Sequence, residues 1–200
     1  MKKWLIPVII IVVLGIIVFK LTAGVNNTAV ELEEGLKKNW ADVENAYQRR
    51  SDLIPNLVKT VQGSADFERG TLTDVIEARS KATSVNVDAN NLNPDQIQKF
   101  QQAQAGLSSA LSRLLVSVER YPDIKSNRNF LELQSQLEGT ENRISVARNR
   151  YNEAVRQYNT YIRKFPNNIF AGMFGFQPKP PFEAEAGAEN APNVDFDFKK

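Results

Sequence analysis

Two hundred residues, 42% hydrophobic and 24% charged, suffice for one globular domain with appendages. The net charge is +2, with acidic and basic residues mixed along the same segments, so no basic face for nucleic acid stands out and that partner is not expected. Cysteine and histidine are both absent, which excludes disulfides, thiol catalysis, imidazole-based triads and the usual zinc and haem sites; a metal would have to sit among carboxylates and carbonyls.

The chain opens with WLIPVIIIVVLGIIVF at residues 4–19, and with Leu21 to Val25 the apolar run reaches the ~20 residues a bilayer span needs. A cleaved signal peptide ending at Ala23 is the competing reading, but Leu21 sits badly at the −3 position of a small-x-small site, so an uncleaved anchor is expected. Val25 stands where a lipoprotein would need cysteine. Lys2 and Lys3 before the span favour an amino terminus in the cytoplasm and the remainder outside. The expected division is an anchor over residues 1–27, a helical bundle over 28–176 and an extended tail over 177–200.

Thr28 with Glu31 has the spacing of a capping box and predicts a new helix over about 28–50, with Leu32, Leu36, Trp40, Val43 and Tyr47 on its apolar face. Pro55 lacks an N–H and crowds the preceding turn, so a break capped by Ser51 or Asp52 is favoured. The alternative is one helix kinked at Pro55, leaving three long helices instead of four. A second helix over about 52–83 carries Ile54, Leu57, Val61, Ala65, Leu72, Val75 and Ala82. Gly63 and Gly70 in its interior mark either a soft helix or close approach of a neighbouring backbone. Residues 84–92 read as a polar loop. Asn93-Pro94 with Gln96 predicts the start of a third helix through Ile97, Phe100, Gln104, Leu107, Leu111, Leu114, Val118 and Tyr121.

After Tyr121-Pro122-Asp123, Ser126 is expected to cap the helix that organises the chain. Phe130, Leu137, Ile144, Tyr151, Tyr158 and Phe165 occupy heptad position a; Leu133, Thr140, Ala147, Ala154 and Tyr161 occupy d, with Thr140 the one polar break. A seven-residue repeat keeps a narrow apolar stripe against a partner helix. Short connections then predict an all-α fold, a transmembrane helix followed by an antiparallel up-and-down four-helix bundle. The tyrosines Tyr47, Tyr151, Tyr158 and Tyr161 are expected in the core with hydroxyls reaching the rim. Residues 169–176 (IFAGMFGF) are expected to fold back on one end of the bundle, residues 177–193 to be largely extended, and the alternating 194–198 (VDFDF) either to dock or to end the chain freely.

Three polar clusters interrupt the apolar helices: Arg49, Arg50 and Asp52; Glu119 and Arg120; Glu141, Asn142 and Arg143. If they met at one level, an arginine fork on a carboxylate would fix helix register or meet a partner. Metal ligation and a sugar-cleaving carboxylate pair have little to support them: ferritin-like sites need histidine and nothing marks a cleft. No cofactor is expected.

QRRSDLIPNLVKTVQG at 48–63, ARSKA at 78–82, the run from 111 to 155 ending RISVARNRYNEAV, and FAGMFGFQPKPPFEA with PNVDF together resemble the LemA family over nearly the whole chain. Gly63-Ser64-Ala65 stands where the resemblance leads one to expect Gly-Tyr-Ala. The resemblance implies a membrane-anchored helical bundle and supplies no reaction; it implies links to magnetosome membranes in some relatives and to membrane proteases or envelope proteins in others. The expected function is a non-enzymatic scaffold or adaptor in the bacterial cytoplasmic membrane, single-pass, bundle outside, whose partners are the lipid bilayer and envelope proteins, a membrane protease system among them. The alternatives are membrane organisation by self-association as a homo-oligomer, and an enzyme built on Glu119 and Glu141.

Overall fold

A computed structural model describes residues 4–63 and 67–183 of the chain. It contains α1 (Leu5–Gln62), α2 (Arg69–Ser84), α3 (Pro94–Val118), the single turn α4 (Pro122–Lys125), α5 (Arg128–Arg163) and α6 (Asn167–Met173), and no strand among the described residues. The fold is all-α. Helices α1, α2, α3 and α5 run up, down, up and down, as their short connections require.

Helix α1 has 58 residues and spans ~87 Å at 1.5 Å per residue. Its apolar first turns, through Leu21, are exposed, whereas from Val25 onward one side is buried at three- and four-residue steps: Val25, Ala29, Leu36, Trp40, Val43, Tyr47 and on to Val61. The expected helix start at Thr28 does not occur, because helix-competent residues continue on both sides and no turn is forced there. Nor do Ser51 or Asp52 cap a new helix. The chain passes through Pro55 in one helix, and the fourth long helix arises from the break after Gln62. Pro55 deprives the Ser51 carbonyl of its intrahelical donor, and Arg79 Nε on α2 donates to that oxygen at 2.9 Å. A proline that would end an isolated helix is thus accommodated by a neighbouring one.

The break also settles the glycines. Gly63 caps α1 and Gly70 lies in the first turn of α2, where an added Cβ would meet nothing within 4 Å, so neither marks a close crossing of two helices. Ile54, Leu57 and Val61 are buried on α1, and Leu72, Val75 and Ala82 on α2; Ala65 lies outside the described residues. The following loop is polar only in part, since Val87 and Leu92 are buried in the core. Asn93 Oδ1 accepts from the Gln96 N–H at 2.9 Å and Pro94 takes the first helical position, as expected for α3. The reciprocal half of the box is missing, because Gln96 Oε1 is buried without a partner. All the expected seam residues of α3 from Ile97 to Val118 are buried.

Asn127, not Ser126, caps α5, its Oδ1 accepting from the Asn129 and Phe130 amides. Along α5 the buried stripe follows Phe130, Leu137, Thr140, Ile144, Ala147, Tyr151 and Tyr158 but moves to Val155 and Ile162 in the second half. Ala154 and Tyr161 are only half-buried, and Phe165 is 81% exposed. A helix of 3.6 residues per turn drifts by ~20° per heptad against a strict 3.5 repeat, so the face that meets α1 departs from the a/d seam after about three heptads.

The core consists of two clusters. One, at the end nearer the apolar start of α1, is rich in aromatics: Trp40, Tyr47, Phe100, Tyr151, Tyr158 and Phe182. The other is mainly aliphatic, with Ile54, Leu57, Val61, Leu107, Leu114 and Val118 among its members. Between them lies a layer of buried polar residues: Arg50, Ser51, Gln104 and Thr140.

Candidate functional site

Arg50 is the centre of the polar layer, only 2% exposed. Its Nη1 donates to Ser108 Oγ at 2.8 Å on α3 and to Glu141 Oε1 at 2.5 Å on α5. Its Nη2 donates to Gln104 Oε1 at 2.7 Å and to the Gln104 carbonyl at 3.2 Å. Gln104 Nε2 in turn donates to the Ala82 carbonyl on α2 at 3.3 Å. One guanidinium therefore connects all four long helices, directly or through Gln104, and its Cζ lies 5.0 Å from the Tyr47 ring centre. The bond to Glu141 is charge-assisted, the strong class, but it is single and not the bidentate fork on a carboxylate expected from the sequence, and Arg50 Nε has no partner. The register is set by the two Nη atoms reaching three side chains on α3 and α5. Thr140, the polar break in the α5 seam, belongs to this layer and spends its hydroxyl on the Gln136 carbonyl at 2.7 Å.

The other residues picked out from the sequence do not converge there. Asp52 accepts from Gln48 one turn away, at 2.7 Å. Glu119 pairs with Lys125 beyond the end of α3. Arg120 donates to Ser117 Oγ at 2.9 Å and lies 3.8 Å from Glu68. Glu119 and Glu141 thus stand at different levels of the bundle and form no carboxylate pair. Arg49, Asn142 and Arg143 instead line an open groove of about 630 Å³ between α1 and α5, together with Arg150, Asp42 and Asn45, over a floor of Ala46, Val146 and Ala147. Among the described residues, no group of three or more acidic side chains is placed to hold a metal ion.

Sequence reasoning missed the second polar arrangement, which uses the proline-rich segment after α6. Gly175, with φ +78°, reverses the chain: the Phe176 amide donates to the Ala171 carbonyl at 3.0 Å and the Gly175 amide to Gly172 at 3.2 Å, the paired bonds of a left-handed helix stop. Residues 177–183 then climb antiparallel to α5 as a strap. Asn159 and Asn152 each clamp one strap residue through its backbone, accepting from the Lys179 and Phe182 amides at 2.8 Å and donating to the same residues' carbonyls at 2.8 and 3.2 Å. The spacing is physical: three residues of a polyproline-type chain advance ~9 Å, and seven residues of α-helix ~10.5 Å. Pro178, Pro180 and Pro181 have no N–H to present, so between residues 178 and 182 only Lys179 and Phe182 offer both an N–H and a carbonyl to such a clamp. Tyr151 donates from its hydroxyl to the Pro180 carbonyl at 2.9 Å, and Gln101 and Arg148 both donate to Glu183 at 3.1 Å.

Phe182 enters the aromatic cluster, stacked on Trp40 at 5.6 Å and edge-on to Tyr151 at 5.4 Å. Lys179 makes a largely buried ion pair with Glu33 at 2.9 Å. Burial pushes the Tyr151 phenol far up, and burial with the nearby Glu33 charge pushes Tyr158 up to about 12. The Tyr158 hydroxyl is buried without a hydrogen-bond partner, so it does not reach the rim. Glu44 is raised by burial, opposed by the Trp40 indole N–H, which lies toward it without completing a hydrogen bond of normal geometry. The final 194–198 motif lies outside the described residues.

Comparison with known proteins places these elements. Magnetosome protein MamQ 2 of Paramagnetospirillum magneticum is 28% identical, covering 90% of this chain and 73% of its own. Magnetosome protein MamQ of Magnetospirillum gryphiswaldense is 26% identical over 76% of this chain and 62% of its own. Protein LemA of Metamycoplasma hominis is 22% identical over 74% and 64%. The model of the LemA family matches residues 39–196, a span that holds both the Arg50 layer and the strap, and the chain belongs to the LemA family.

Proposed function

We propose that this protein is a single-pass, membrane-anchored scaffold that acts by contact and not by catalysis, with its bundle on the outer face of the bacterial cytoplasmic membrane. The observation that carries the reading is the use made of the polar layer: the buried Arg50 and Gln104 and the more exposed Ser108 and Glu141 bond to one another and to backbone, holding four helices in register. The two polar atoms of the layer left without a partner, Arg50 Nε and Ser51 Oγ, are buried. A general acid or nucleophile needs an accessible reacting atom and a substrate cleft; here the depressions are open troughs on helix surfaces. The apolar, exposed beginning of α1 supports the anchor. The relatives' names, magnetosome protein MamQ and protein LemA, specify no reaction.

The groove of Arg49, Arg143 and Arg150 supplies a partner-facing surface. These three side chains make no ion pair among the described residues, so their charge is available to an acidic polypeptide. Envelope proteins, including a membrane protease system, are the partners in this reading. A photo-crosslinker placed at Val146 in native membranes, followed by purification, should recover a defined protein, and reversing the three arginines to glutamate should abolish the adduct. Recovery of nothing above background from the unmodified groove would sink the reading.

A further inference from the structure

We propose that α6 and the preceding turn form an apolar foot that rests in the membrane interface and holds the bundle at a defined angle to the bilayer. The foot consists of Phe165, Ile169, Met173 and Phe174, which are 81, 53, 75 and 46% exposed. Of α6 only Ala171 is fully buried. A folded domain rarely leaves four large apolar side chains together in water unless that surface meets something apolar.

Its position along the bundle says what it meets. Trp40 and Tyr151 touch at 5.4 Å across the antiparallel α1 and α5. From that crossing α5 descends about a dozen residues to its end at Arg163, while α1 traced backward over the same number of residues reaches Thr28, since both advance ~1.5 Å per residue. Ala171 of α6 shares a cluster with Ala29 of α1 and Ile162 of α5, which puts α6 at that lower end. The apolar run of α1 ends at Val25, before Asn26. The exposed face of α6 therefore lies at the level where α1 leaves its apolar stretch. Arg163 and Lys164, both exposed and unpaired among the described residues, adjoin Phe165 and are suited to phosphate headgroups. The strap rises from this foot, so Gly175 joins the interface contact to the Asn159 and Asn152 clamps.

This inference rests on the anchor reading, and the test separates the two. Because the chain has no cysteine, single cysteines at Leu14, Met173 and Val116 in the full-length protein can each carry an environment-sensitive fluorophore. All three positions are exposed, so the substitutions leave the core intact. The proteins are reconstituted in phosphatidylcholine vesicles whose acyl chains carry bromine either near the headgroup or near the bilayer centre. The Leu14 label should be quenched by deep bromines, the Met173 label by shallow bromines by at least ~2-fold, and the Val116 label by neither. Quenching at Leu14 with none at Met173 overturns the foot while the anchor stands. No quenching at Leu14 overturns the anchor and the foot with it. A Met173 label that is shielded from water yet untouched by bromine shows that protein covers the patch, and overturns the proposal as well.

Discussion

The two halves of the bundle solve the same packing problem differently. The half away from the foot has four helices in contact and fills its centre with aliphatic side chains, Ile54, Leu57, Val75, Leu107 and Leu114. The half near the foot lacks α2, which ends at Ser84, and closes the gap with Val87 and Leu92 from a loop, with α6 and with the strap. Its aromatic cluster of Trp40, Phe100, Tyr151 and Phe182 provides large contact area where one helix is missing. A helix can be replaced by an extended segment when side chains supply the backbone hydrogen bonds that a helix makes for itself.

The difference is open to attack at several points. Phe182→Ala removes the strap's inserted ring and should cost ~3–5 kcal/mol; amide hydrogen exchange should then quicken over residues 143–162 of α5 while residues 130–140 stay protected. If both halves loosen equally, the strap is not a local replacement for a helix. Arg50→Ala should cost about 3 kcal/mol, toward the lower end for a broken buried pair because Glu141 is half-exposed, and should split denaturant unfolding into two transitions as the halves uncouple. Arg50→Met, which keeps the volume and removes the charge, should recover much of the stability while leaving the register less well held.

Smaller effects sharpen the comparison. With Pro55→Ala the Ser51 carbonyl regains an intrahelical donor, so Arg79→Ala should cost ~1 kcal/mol in the native chain and close to nothing in the Pro55→Ala background. An unchanged Arg79→Ala penalty would show that the guanidinium acts elsewhere. The last effect, absent at neutral pH, is a pH dependence confined to the aromatic half. Tyr158 keeps its proton to about 12 in the folded protein, whereas in the unfolded chain it releases it near 10. The native state therefore binds more protons in that window, and stability falls as pH rises from about 10 to about 12. Tyr158→Phe should remove its share of that slope and leave the share of Tyr151, whose phenol is raised further, and, because the Tyr158 hydroxyl has no partner, should cost little at neutral pH.

What the residues determined by themselves is the pattern-driven part of the molecule: the apolar opening of α1, the seam of α3 from Ile97 to Val118, the first heptads of α5 and the Asn93-Pro94 cap. Each rests on spacing along one element, which a helix reads locally. The route through Pro55 was decided by Arg79, the register by Arg50 reaching Glu141 and Gln104, and the strap by Asn152 and Asn159. In all three the partner lies on another element, so the satisfied hydrogen bond exists only once the helices are side by side. Local rules predict a broken helix and a loose tail in those places; tertiary donors and acceptors reverse the outcome, because a buried backbone group costs more unpaired than the rearrangement that pairs it.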